Sequence, residues 1–324
     1  MAKRPKLEDR LAELSALRSE PDPAISRAAL AKALANRNPY LVGKAAKIAA
    51  ELGHDELEEA LTTAFDRFMV NPVRTDKGCV AKIAIVQALV ELDARAEDTY
   101  LLGIRHRQFE PSYGEPVDTA VPLRAASAEG LLVARHPELA LELTELLVDR
   151  ETQARLAAAR VLAASGLLEA ESLLRLKVHL GDAEPEITTE AMLGLLTLAP
   201  RRSLPFAERF LDHDDPATVE SAALALGESR LEGAVELLER RYQRCVEHRL
   251  QQTLLLCISM LRREAGFKML LELVRSGSIA RASQALTALA VHRDNASLRD
   301  RVEAAVAEHS DAAELETIFV DAFR

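Results

Sequence analysis

Small and apolar residues recur along this chain with the period of an α-helix. Ala45, Ile48, Ala49 and Leu52 precede Gly53. Ala158, Val161, Leu162 and Ser165 precede Gly166. Val219, Ala222, Ala223 and Leu226 precede Gly227, so the positions 8, 5, 4 and 1 before each glycine are mostly apolar. That spacing lays them on one helical face. A glycine just past a helix readily takes the left-handed conformation that ends it. The starts recur as well: Asn38-Pro39, Glu184-Pro185 and Asp215-Pro216 each set a capping or acidic residue before a proline. Proline suits the first turn because its missing N–H has no helical partner there. Asp118 and Glu151 are expected to open two more helices, where negative charge suits the helix dipole.

Starts near residues 38, 76, 118, 151, 184, 215, 247 and 277 repeat every roughly 30 to 42 residues, the period of a solenoid or array. Further helices are expected over 55–69, 137–149, 167–181, 201–213, 231–246 and 264–275. Almost no segment alternates with period two, so no sheet is expected. The short connections imply antiparallel neighbours. The expected fold is all-α, a right-handed α-solenoid of stacked antiparallel helix pairs forming one domain over 1–324. About nine pairs run from residue 22. An amphipathic first helix over 6–18 carries Leu7, Leu11, Leu14 and Leu17. A last helix over 311–323, bearing Asp311, Glu314, Glu316 and Asp321, is expected to be a polar cap.

Composition agrees with helices. Hydrophobic residues are 48% of the 324 and charged residues 28%, which is globular, while aromatics are only 4% and Trp is absent. A net charge of −10 argues against a broad nucleic-acid surface, which needs clustered cations. The basic start, Met1 to Lys6, lacks the apolar stretch of a signal peptide, and no run is long and apolar enough to span a membrane, so a cytoplasmic protein is expected. Cys79, Cys245 and Cys257 are scattered, without a CxxC or clustered His, and read as buried reduced thiols rather than a metal site.

The units resemble HEAT repeats, especially the short type of the phycobilisome-lyase-like group. The second helix of that motif opens on an acidic residue, carries an apolar residue followed by Arg, then an Ala pair, then Leu-Gly. Asp214-Asp215-Pro216 followed by Val219, Ala222-Ala223 and Leu226-Gly227 is the best match, with Glu220 in place of the Arg. The run Glu151, Arg155, Ala158-Ala159 keeps the cation but lacks the Leu before Gly166, and Leu123-Arg124-Ala125-Ala126 is a compressed echo. The resemblance covers about residues 22–309. It implies an architecture and little about function, because HEAT arrays serve many roles.

The repeat is interrupted at 107–117, a segment with two Pro, one Gly and the aromatics Phe109 and Tyr113. A loop that the repeat does not need is a functional candidate. The expected partner-binding residues are His106, Arg107, Phe109, Glu110, Tyr113, Glu115, Asp118 and Arg124; the alternative is a tolerated insertion whose aromatics pack on flanking helices. A second candidate is the inner face of the second helices, with Lys44, Lys47, Lys82, Arg124, Arg155 and Arg160, since concave solenoid faces bind extended partners. There the alternative is a ladder of ion pairs between repeats. The densest basic run, Arg240-Arg241-Tyr242-Gln243-Arg244, reads first as a solvated helix face beside Glu236, Glu239 and Glu247.

No nucleophile elbow, zinc-protease motif, phosphate loop or dinucleotide fingerprint is present. His106 near Glu110 is the one acid–base pairing that chain proximity suggests. The expectation is a non-catalytic scaffold or adaptor that binds a protein or peptide, with no cofactor and no metal. Within the resemblance, the alternatives are a bilin-lyase-like accessory role or an alkylpurine-glycosylase-like one, the latter weakened by the acidic charge and absent Trp. A structural subunit of a larger assembly is the third reading.

Overall fold

The computed structural model describes residues 6–324; most of the basic start, Met1 to Lys6, lies outside the described residues. The chain divides into two compact units, one ending at Leu167 and the other spanning Leu168–Arg324. The first unit holds α1 (Leu7–Ala16), α2 (Pro23–Leu34), α3 (Pro39–Glu51), α4 (Glu58–Met69), the one-turn α5 (Pro72–Thr75), α6 (Val80–Glu91) and α7 (Glu97–Arg105). Two short strands, β1 (Phe109–Glu110) and β2 (Val117–Asp118), precede α8 (Val121–Val133), α9 (Leu139–Leu147) and α10 (Thr152–Ser165). The second unit holds α11 (Leu168–Leu180), α12 (Pro185–Leu198), α13 (Pro200–Phe210), α14 (Pro216–Ser229), α15 (Gly233–Arg244), α16 (His248–Met260), α17 (Glu264–Ser276), α18 (Ile279–Leu289), α19 (Ala296–Ala307) and α20 (Ala312–Ala322).

Each unit is a stack of antiparallel helix pairs. The second helices form one layer: α3 packs on α6, α6 on α8 and α8 on α10, and in the other unit α12 meets α14, α14 meets α16, α16 meets α18 and α18 meets α20. Their apolar stripes make the core, so Ile48, Leu89, Leu131 and Leu162 in one unit, and Leu195, Leu226 and Leu286 in the other, are fully buried. The caps work as their residue types dictate: Asn38 accepts the N–H groups of Tyr40 and Leu41, and Asp215 those of Ala217 and Thr218. In α20 the carboxylates of Glu314, Glu316 and Asp321 face solvent while Leu315 and Phe319 are buried.

Several expectations need correction. The segment 107–117 is not a bare loop between helices. β1 and β2 pair antiparallel, with Phe109 opposite Asp118 and Glu110 opposite Val117, so a small sheet exists where none was expected. Asp118 does not open a helix. It ends β2, and α8 begins three residues later, with the Asp118 carboxylate accepting the Gln108 and Ala120 N–H groups and pairing with Arg124.

The helix expected near 76 begins at Val80, after left-handed Gly78 (φ 73) and Cys79 (φ 54). Asp76 nevertheless caps it from a distance, accepting N–H from Ala81 and Lys82 at 2.9 and 3.0 Å. Gly53 and Gly166 stand in the left-handed conformation at helix ends, but Gly227 lies buried inside α14, and the left-handed residue there is Arg230. Gly227 answers to packing instead: a Cβ on it would meet the Cα of Cys257 on α16 at 2.8 Å.

Candidate functional site: a hairpin on a buried polar network

The hairpin is anchored by its polar side chains. Gln108, just before β1, is buried, and its Nε2 donates to the Asp76 carbonyl at 2.9 Å and to Glu110 Oε1 at 2.7 Å. Glu110 Oε1 also accepts the Gly78 N–H at 2.6 Å and the Thr119 hydroxyl at 2.9 Å. Burial pushes the Glu110 carboxyl up, but these hydrogen bonds and the charge of Lys77 outweigh it and hold the group below its ordinary value. It therefore stays an ionised acceptor, and the neighbouring left-handed turn at Gly78 has a fixed partner.

Asp118 anchors the other strand. Oδ1 accepts the N–H groups of Gln108 and Ala120, both at 3.0 Å, and Oδ2 lies 2.7 Å from Arg124 Nη1. Burial again acts upward and is outweighed by these bonds, so the carboxyl lies below its usual range. Arg124 is fully buried in α8. It also reaches Asp149, at 3.1 Å from Nε, and donates to the His106 carbonyl at 3.2 Å. Arg107 closes the chain of charges on Asp149 at 2.7 Å. A second buried pair, Lys82 Nζ to Asp76 at 3.0 Å, sits below, with both side chains at 0% exposure.

The apolar side chains of the hairpin point the other way. Phe109, Val117 and Tyr113 are 60%, 53% and 113% exposed. The aromatics thus do not pack on the flanking helices. Phe109 and Asp118 line a cleft of about 450 Å³ with Arg107, Val148, Asp149 and Glu151.

Of the expected site residues, Arg107, Phe109 and Asp118 meet at this cleft, and Tyr113 and Glu115 lie exposed at the hairpin tip, where Ser112 donates to the Glu115 carbonyl. Glu110 and Arg124 are buried and hold hydrogen bonds within the network. His106 is half-buried, its ring nitrogen 3.3 Å from Gln108 Oε1, and burial lowers its pKa. The suggested His106–Glu110 acid–base pair does not assemble, because Gln108 stands between the two side chains.

The second expected face is not a row of cations. Lys82 and Arg124 turn into the core to satisfy Asp76 and Asp118. Lys44 is half-buried and Lys47 exposed on α3. Arg160 is exposed on α10, where Arg155 donates to the carbonyls of Asp149 and Arg150. Ion pairs between neighbouring repeats are common, as in Arg18–Glu51, Arg105–Glu142, Arg275–Glu308 and Arg301–Glu264. The basic run of α15 is part of that pattern: Arg240 pairs with Glu208, and Arg241 and Arg244 with Asp212.

Sequence reasoning missed Gln108, Thr119, Asp76 and Asp149. Asp76 and Asp149 precede helices at repeat spacing, which was the available signal; Gln108 and Thr119 had none. No helix among the described residues is long and apolar enough to cross a membrane.

No model of a known protein family matches the chain, and no curated protein matches its sequence. Solved structures do match in fold. The chain is similar to the complex of CpcE and CpcF of phycocyanin lyase from Nostoc sp. PCC7120, at 16% identity and TM-score 0.37, over 78% of this chain and 92% of that one. It is similar to human deoxyhypusine hydroxylase at 16% identity and TM-score 0.31, over 81% and 92% of the two chains. It is similar to Kap121p, solved bound to Pho4p, at 12% identity and TM-score 0.50, over 96% of this chain and 41% of that longer one. By fold, the chain is a helical repeat array, similar in that respect to Kap121p.

Proposed function

We propose that the chain is a non-catalytic scaffold or adaptor that binds a protein or peptide through the 106–124 hairpin region. One observation carries this reading: an otherwise all-helical repeat array is interrupted by a hairpin whose polar side chains are locked inside and whose large apolar side chains are solvent-exposed. A fixed frame with exposed aromatic side chains suits binding, because little entropy is lost when the partner arrives. Glu110 Oε1 and both carboxylate oxygens of Asp118 are engaged as hydrogen-bond acceptors, which favours a structural role for these residues over acid–base chemistry.

The test is affinity capture from lysate with the native chain and a Phe109→Ala/Tyr113→Ala variant. Glu110 is left intact because it is a structural anchor. Both side chains are exposed, so the variant should melt with the native chain, within about 0.5 kcal/mol. A protein captured by the native chain and lost by the variant is the expected result. Equal capture by both would overturn the hairpin as the contact site.

A further inference from the structure

A second surface of the same unit departs from the charge pattern of the molecule. Acidic residues outnumber basic ones by 51 to 41, and many arginines sit against a carboxylate of a neighbouring repeat. Arg37, Arg67, Arg74 and Lys77 form no such ion pair, although the charge of Lys77 is felt at Glu110. They line one groove of about 850 Å³ together with Phe68 and Val70, and no Asp or Glu lines it. None of the four cations forms a salt bridge among the described residues. They come from separate places in the fold: the turn after α2, the end of α4, the single turn α5, and the residue before Gly78.

The arrangement is unfavourable for the chain alone. Arg67 donates one Nη2 hydrogen bond to the Leu34 carbonyl at 2.6 Å, and its guanidinium carbon lies 5.4 Å from the Phe68 ring centroid, yet its Nε is buried without a partner. Burial and then the like charge of Arg37 push the Arg67 pKa down. Converging cations with an unused buried donor are what an oxyanion would satisfy, and guanidinium forks grip carboxylates in pairs of hydrogen bonds.

We propose that this groove docks an acidic segment of a partner protein, its carboxylates taken by Arg37, Arg67, Arg74 and Lys77 and an aliphatic side chain resting on Val70. Three observations favour a peptide over a nucleic acid. Single strands need aromatic faces on which bases stack, and the one aromatic in the lining, Phe68, is 1% exposed. A duplex would bring its phosphates against a molecule of net charge −10. Val70, 63% exposed at the groove, has an apolar use only with a peptide. The inference stands on its own residues and does not require the hairpin to bind.

The experiment uses the full chain and a fluorescein-labelled peptide of Glu pairs alternating with Leu, followed by anisotropy. The native chain should bind it, and binding should weaken as salt rises and screens the charges. The Arg37→Glu/Arg74→Glu variant should bind about tenfold more weakly or worse. Both side chains are exposed and unpaired, so circular dichroism should show the fold intact. The Phe109→Ala/Tyr113→Ala variant and an Arg240→Glu/Arg244→Glu variant should bind as the native chain does. With the native chain alone, replacing Glu by Gln in the peptide should abolish binding, a result independent of how any variant folds. Equal binding of the Glu and Gln peptides, or no binding of either, overturns the proposal. So does an undiminished affinity in the folded groove variant, a loss confined to the Arg240/Arg244 variant, or displacement of the peptide by inorganic phosphate or oligothymidine at equal concentration.

Discussion

Replacing Arg124 with Met tests whether the buried network is what holds the hairpin. The side chain is fully buried and serves three acceptors: Asp118 at 2.7 Å, Asp149 at 3.2 Å from Nη2, and the His106 carbonyl at 3.2 Å. Met is a long, flexible apolar side chain, so the cost is chiefly electrostatic: two buried carboxylates lose the cation they share. Removing one partner of a buried ion pair costs about 3–5 kcal/mol. Asp149 keeps Arg107, and Asp118 keeps the N–H groups of Gln108 and Ala120. These remaining bonds place the loss near the lower end, about 3 kcal/mol. At about 2–4 °C per kcal/mol for a unit of this size, melting of the first unit should fall by about 6–12 °C.

Calorimetry reads the melt, and amide hydrogen exchange at Thr119, whose N–H donates to the Gln108 carbonyl, reads the hairpin. Exchange there should accelerate more than in α3. The pH dependence gives an independent check. Asp118 is depressed in the folded state, so it contributes stability above its unfolded value near ~4 that is lost as pH falls through its lower folded value. Without Arg124 that folded value rises. The gap between native and variant should therefore shrink as pH falls below about 4. Adding Asp118→Asn to Arg124→Met removes a stranded charge and should cost less than the two single changes summed. A melting point within about 2 °C of native, with unchanged exchange at Thr119, would refute the network's role.

Three further outcomes are expected. Gly227→Ala should lose about 1–3 kcal/mol in chemical denaturation, because the new Cβ would sit 2.8 Å from the Cys257 Cα and push α14 off α16. Asp215→Ala should lower stability in the same measurement, since the Ala217 and Thr218 amides lose their cap. Cys79 and Cys257 are buried, and desolvation pushes their thiols up to about 11 and about 12; neither should react with a thiol reagent at neutral pH until the chain is denatured.

The fold was legible where local chemistry decides it. Asn38-Pro39 and Asp215-Pro216 mark helix starts because an acceptor side chain and a fixed proline φ act within one turn. Glycine was legible only in part. Gly53 and Gly166 serve the backbone angle, whereas Gly227, in the same motif position, serves a helix contact made by α16, which no local pattern reports. The hairpin escaped because two-residue strands are too short to show an alternation. Its location as the interrupted repeat was legible, but whether its aromatics face solvent or pack on the flanking helices was left open by the sequence. The inward turn of Glu110, Lys82 and Arg124 was not, since each is set by a partner brought in through the fold. The cationic groove was hidden for a related reason. Its residues come from scattered segments, while the dense basic run of α15 drew notice and proved to be paired.

The two irregular segments of the first unit are physically one feature. The turn at 76–79 departs from the repeat because Asp76 gives its carboxylate to Lys82 and to the start of α6, leaving Gly78 and Cys79 in left-handed conformations. The same turn offers the Asp76 carbonyl and the Gly78 N–H to Gln108 and Glu110, which fix β1. On its other side it carries Lys77 into the cationic groove. A change in the turn therefore acts on both surfaces. Gly78→Ala places a methyl at φ 73, with only the Val80 side chain nearby, so its cost is conformational rather than steric, about 1 kcal/mol. If the turn ties the surfaces together, that variant should loosen hydrogen exchange at Thr119 and weaken the acidic peptide at once. A change in one readout without the other would show that hairpin and groove are held independently.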